Sequence, residues 1–258
     1  MAVTQSPIAA PSATSGARST STAFSRALGA ATLLSMILLV LFGFFLSPAD
    51  VIQRESVRIL YIHVGTVWVA YLAFVVTAVS SGAVLWKRTS SLVWDRIAGA
   101  SAEVGVLFMA LTLFAGALWG RLSWGKFWIW EARVTTTAFL FITYVGYLAV
   151  RGLGGTHQQR ARRSAVVAVL AVLEIPLVHF SVRLWRGVHQ AASVGDTTKV
   201  KLHDLMLFSL FISVVAFTLL FVWLVLHRQR VMAMQDALDN RGLDYALAQR
   251  QADEQGPR

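Results

Sequence analysis

Six apolar runs, separated by short polar and basic segments, dominate the chain. They lie at about Ala27–Leu46, Ile59–Leu85, Ile97–Leu118, Val134–Val150, Ala165–Val182 and Leu205–Leu226. Each approaches the ~20 residues that an α-helix needs to cross a bilayer, and the second is long enough to tilt or protrude. The pattern predicts an all-α integral membrane protein. It is a six-transmembrane-helix bundle with a short external amphipathic tryptophan-rich segment between the third and fourth spans. The first run is 20 residues long, and no small-x-small cleavage site follows it. It therefore reads as a span rather than a signal-peptide core. Residues 1–25, rich in Ser, Thr, Ala and Pro, read as a disordered cytoplasmic tail. Residues 26–227 then form one membrane domain. Residues 228–258 form a cytoplasmic tail whose evenly mixed charges suit a short surface helix.

Composition agrees. The 258 residues are 56% hydrophobic and 14% charged, against about 25% charged in ordinary globular chains. Mean hydropathy is +0.62. The formal charge of +10 does not point to nucleic acid, because Lys and Arg cluster at the ends of the apolar runs, where they set topology and contact anionic lipid. With both termini cytoplasmic, 14 of the Lys and Arg fall inside and 9 outside. That bias favours this orientation, yet the outer face stays basic enough to suit an anionic ligand. There is no cysteine, which excludes disulfides, thiolate metal sites and covalent attachment of a c-type haem to this chain.

The densest chemistry lies in residues 119–133. Trp119, Trp124, Trp128 and Trp130 fall within twelve residues, interleaved with Arg121, Lys126, Phe127, Glu131 and Arg133. As a short helix, the segment would place Trp124, Phe127, Trp128 and Glu131 on one face. Two readings stand: an aromatic belt that anchors the helix ends, or a platform for a flat, negatively charged aromatic ligand.

Two histidines lie at matching depth on different spans. His63 is four residues into the second, and His179 is three residues before the end of the fifth, so both sit roughly 4–6 Å below the outer boundary. Ionisable groups inside a membrane are costly and usually functional. Neutral imidazole ligates iron, and two can fill the axial positions of a haem. Either histidine could instead bond a carbonyl or snorkel. His189 and His203 lie on the same side and could contact a ligand edge, though a solvated loop role suits them better; Glu103 and Glu174 suit structural hydrogen bonding better than a proton relay. Pro176 predicts a kink below His179. The sequence shows no phosphate-binding loop or nucleophile elbow.

The stretch Trp124-Gly-x-Phe-Trp-x-Trp130-Glu-Ala-Arg133 resembles the tryptophan-rich signature of haem-handling proteins of cytochrome c maturation, and its continuation resembles the CcmC branch. Tyr61-Ile-His63-Val is similar to that family's first histidine motif. Ile175-Pro-Leu-Val-His179-Phe-Ser-Val-x-x-Trp185-x-x-x-His189-Gln is similar to its second. The resemblance implies His63 and His179 as axial ligands of a transiently bound haem b, with Trp119, Trp124, Trp128, Trp130 and Arg133 holding the haem edge. Glu131 stands where aspartate is usual, Phe127 where Thr or Trp is common, and Gly65 where a proline would kink the helix. The resemblance further implies a transfer protein of the cytoplasmic membrane rather than an enzyme, giving at most lyase-like assistance. The implied partners are a membrane-anchored periplasmic haem chaperone, the membrane and ATPase subunits of an ABC transporter and a small single-span protein. A b-type electron-transfer protein and a permease subunit are the alternatives. The first should carry a second histidine pair at the inner face, and the second a polar path through the bundle.

Overall fold

A computed structural model describes residues 22–185, 187–189, 202 and 204–254. Six helices are long and apolar enough to cross a membrane. The first, α1 (Ala23–Val40), begins at a reciprocal capping box in which Thr22 and Ser25 satisfy each other's backbone N–H groups. It runs on into a π-turn at Leu41–Leu46. A 3-10 turn at Glu55–Arg58 leads into α2 (Ile59–Leu85), and α3 (Leu92–Trp124) and α4 (Ala132–Gly152) follow. The fifth span divides into α5 (His157–Ala171) and α6 (Glu174–Leu184), and α7 (Asp204–Glu254) closes the bundle.

The packing follows membrane logic. Large apolar side chains such as Phe114, Phe139, Ile142 and Phe211 point outward, where lipid would meet them. The interior is built from small residues and stacked aromatics. Without a hydrophobic drive between helices, close approach and dispersion hold such a bundle together. The longest seam joins α2 to α3, where a Cβ on Gly105 would come within 2.6 Å of Phe74. A Cβ on Gly65 would lie 2.3 Å from Phe217 and 2.5 Å from Ser213 Oγ. Gly65 therefore lets α7 press against α2, and the Ser213 hydroxyl donates to the Tyr61 carbonyl there. Buried hydroxyls bond back along their own helices, as in Thr77 to Ala73 O at 2.8 Å and Thr137 to Arg133 O at 2.7 Å.

Three features differ from the sequence reading. The chain after His227 is not a separate surface helix, because α7 continues unbroken to Glu254. Ion pairs fasten that continuation to α3: Arg228 forks onto Glu103, with Nη2 at 2.9 Å from Oε1, and Asp236 takes Arg96 at 3.1 Å. The fifth span does not merely kink. It breaks at Val172 and Leu173, so Pro176 falls in the first turn of α6, where a missing N–H is no loss. Helix α1 starts at Ala23, inside the expected 1–25 tail, while residues 1–21 lie outside the described residues. Of the two buried acids, Glu103 takes Arg228 and Glu174 Oε1 accepts the Thr143 hydroxyl at 2.9 Å.

At the end opposite the tryptophans, Arg151 forks onto Asp95 at 2.5 and 2.7 Å, and both side chains are nearly buried. Removing one member of a buried pair strands the other charge. Asp95→Ala should lower unfolding stability in detergent by about 3–5 kcal/mol. The double variant Asp95→Ala/Arg151→Leu should recover most of that loss. Thermal melts of the three proteins check this.

Candidate functional site

The aromatic end of the bundle is assembled from four elements. From α2 comes His63, one turn into the helix. A Cβ on Gly116 of α3 would lie 3.0 Å from His63 Cε1, so the imidazole leans against bare backbone. One turn further along α3, Trp119 meets the His63 ring edge to face, with centroids 5.8 Å apart. His63 Nδ1 is buried and makes no well-formed hydrogen bond among the described residues, although the Thr112 backbone of α3 lies close to the ring. A buried polar atom left unmatched is costly and needs an explanation.

The tryptophan stretch is not the short helix expected from its spacing. Helix α3 runs to Trp124 and stops at Gly125, whose φ of 74° is left-handed. The Arg121 guanidinium donates to the Gly125 carbonyl and reinforces the stop. Residues 125–131 then cross the end of the bundle without helical structure until Glu131 starts α4. The aromatic rings consequently spread out instead of sharing one stripe. Trp128 and Trp130 pair edge to face at 5.4 Å, and Phe127 lies under the Arg121 guanidinium at 5.7 Å. Trp130 is 80% exposed, so this surface is open on one side.

Glu131 ties the segment to the chain beyond α6. Its carboxylate approaches Gly187 so closely that a Cβ there would lie 2.2 Å from Oε2. Oε2 accepts the His189 backbone N–H at 3.3 Å, and Oε1 lies against His189 Nδ1. The His189 ring packs on Trp124 with centroids 4.7 Å apart. Burial pushes the His189 imidazole below its ordinary pKa, and the Glu131 carboxylate opposes that shift only in part. At neutral pH this favours the uncharged ring, the form that ligates metal. His189, Arg133 and the Thr112 backbone of α3 are polar groups that lie near His63.

His179 stands elsewhere. It is exposed on α6, which packs on α4; its ring meets Phe180 at 5.0 Å and its carbonyl accepts Arg133 Nη2 at 3.4 Å. The sequence reading gave His189 a solvated loop role, yet it is half-buried within the aromatic group. Its place ten residues after His179 in the same motif was the available signal. His203 lies outside the described residues.

The model of heme exporter protein C matches residues 7–243. The chain belongs to the heme exporter protein C family. Curated relatives in that family include the heme exporter protein C of Bradyrhizobium diazoefficiens, 35% identical over 79% of this chain and 76% of its own. That of Haemophilus influenzae is 32% identical over 79% of this chain and 83% of its own. A Marchantia polymorpha protein named as a putative cytochrome c biosynthesis ccmC-like mitochondrial protein is 31% identical over 67% of this chain and 72% of its own. The six spans suit a multi-pass membrane member of this family.

Because Glu131 is the link between the tryptophan segment and residues 187–189, Glu131→Ala should free that loop. Amide hydrogen exchange at 187–189 should quicken at least tenfold, while exchange in the membrane core of α2 stays unchanged.

Proposed function

We propose that the chain captures haem at the aromatic end of the bundle and hands it on during c-type cytochrome maturation. The observation that carries this reading is the placement of two imidazoles along the same end of α3, His63 against Trp119 and His189 against Trp124, with Glu131 holding His189. The names of the relatives support delivery of haem in cytochrome c biosynthesis.

The residues present suit that cargo. Haem offers a flat porphyrin, an iron that takes two axial imidazoles, and two propionates. His63 presents a buried imidazole whose Nδ1 makes no well-formed hydrogen bond among the described residues. His189 supplies the second neutral imidazole. The geometry favours it over His179, whose ring is exposed on α6. The half-exposed rings of Trp124 and Trp128, with Trp130 beyond, provide apolar cover that stays open at one edge. Arg133 is the cation inside the group, and Arg121 and Lys126 are exposed at its rim. Charge-assisted bonds from such residues suit propionates.

In this reading the site binds haem b transiently and catalyses no turnover of its own. The open Trp130 edge is where a membrane-anchored periplasmic chaperone would draw haem away, with lyase-like assistance as the upper limit of this chain's chemistry. The membrane and ATPase subunits of an ABC transporter and a small single-span protein complete the assembly. Both termini are cytoplasmic in the bacterial inner membrane, which puts the aromatic end outside.

Visible spectra of the purified chain loaded with haemin decide between the histidines. His63→Ala and His189→Ala should each convert a low-spin bis-imidazole spectrum to high spin or abolish binding. His179→Ala should leave the spectrum low-spin. Haemin bound equally by all three variants, or refused by the unaltered chain, would refute the site.

A further inference from the structure

We propose that Gln53 is a positioning residue for His63, acting through Trp119. The inference rests on the reading that His63 ligates haem iron. The indole N–H of Trp119 donates to Gln53 Oε1 at 3.0 Å, across 66 residues of sequence. The same indole meets the His63 ring at 5.8 Å. Gly116 offers only backbone beneath the imidazole, Trp119 packs on the ring from α3, and Gln53 holds the Trp119 indole.

The turn that carries Gln53 is built to hold it still. The Asp50 side chain accepts the backbone N–H of Ile52 at 2.8 Å and of Gln53 at 2.7 Å. Asp50 and Arg54 bond each other's backbones in both directions, at 3.2 and 3.0 Å. The Gln53 carbonyl accepts the Ser56 hydroxyl at 2.6 Å and the Ser56 N–H at 3.1 Å. Arg54, the next residue, has a φ of 55° and a ψ of −134°, a conformation that L side chains rarely adopt. Strain of this kind persists only where the surroundings over-determine it. A five-residue turn so heavily bonded, between a span and a span, does more than connect them. Its polar side chain that leaves the turn goes to Trp119, while its apolar tip, Val51 and Ile52, is almost fully exposed.

Groups behind a metal's direct ligands orient those ligands and tune the metal. Here the order is turn, glutamine, indole, imidazole. Loss of the Gln53 acceptor would free the Trp119 ring and, with it, the His63 plane.

The test uses the full chain in detergent with haemin as the probe. Indole hydrogen bonding is followed by ultraviolet resonance Raman, and haem release by transfer to apomyoglobin. Gln53→Leu should lose the hydrogen-bonded indole signal and release haem about fivefold faster, the size expected for one hydrogen bond. It should also shift the haem reduction potential. Gln53→Glu keeps an acceptor at the same reach and should restore all three readings. Trp119→Phe removes the donor and should speed release as much or more, and adding Gln53→Leu to it should change nothing further. An unchanged release rate and potential in Gln53→Leu, while His63→Ala abolishes low-spin haem, overturns the proposal and leaves the ligand reading standing. So does an equal extra effect of Gln53→Leu in the Trp119→Phe background. A His63→Ala protein that keeps its low-spin spectrum overturns both.

Discussion

Close approach of α2 to its neighbours is the constraint on which the rest of the molecule depends. In a bilayer, helices gain little from hiding apolar surface, so dispersion between tightly fitted backbones must hold them. Gly65 admits Phe217 and Ser213 of α7, and Gly105 admits Phe74 of α2 onto α3. These contacts fix the register of α2 against α3. That register alone decides that His63 meets Gly116 and Trp119 rather than residues one turn away. The aromatic site is thus an outcome of helix packing deeper in the bundle. A side chain added at Gly65 would be felt at His63 even though it touches nothing in the site.

The two ends of the bundle solve opposite problems. One end is closed by matched charges, with Asp95 on Arg151, Glu103 on Arg228 and Asp236 on Arg96. The other holds aromatic rings, imidazoles and cations, with Glu131 the one buried carboxylate there among the described residues. The first arrangement locks helices together. The second leaves tryptophan edges open, Trp130 most of all. Binding sites carry such edges because a ligand covers them.

The spans were legible because twenty apolar residues leave few alternatives, and all six were read from hydropathy. Their ends were not. Helix α3 extends from Leu92 to Trp124, well past its apolar stretch, because charged and aromatic residues at the membrane surface remain helical. The continuation of α7 was hidden for the same reason: pairing of Arg228 and Asp236 with distant helices has no local signature. Within the site, the tryptophans, Glu131, Arg133 and His63 were visible as unusual residues at unusual places. The helical periodicity drawn through 124–131 misled, since Gly125 ends the helix there. His189 was undervalued because its burial comes from Glu131 and Trp124, both far away in sequence. Gln53 could not have been found at all, as a glutamine in a loop carries no pattern until its partner is known.

The length of α7 carries a mechanical consequence. At about 1.5 Å per residue its 51 residues make a rod of about 76 Å, more than twice the ~30 Å hydrocarbon thickness. The first two thirds of α7 is gripped by α1, α2 and α3, and the described residues beyond Asp236 are exposed. Such a rod is a lever whose fulcrum lies near Asp236. The far tip lies about 27 Å beyond that point, so a tilt of about 5° in the gripped part would move it by about 2 Å in the surrounding water.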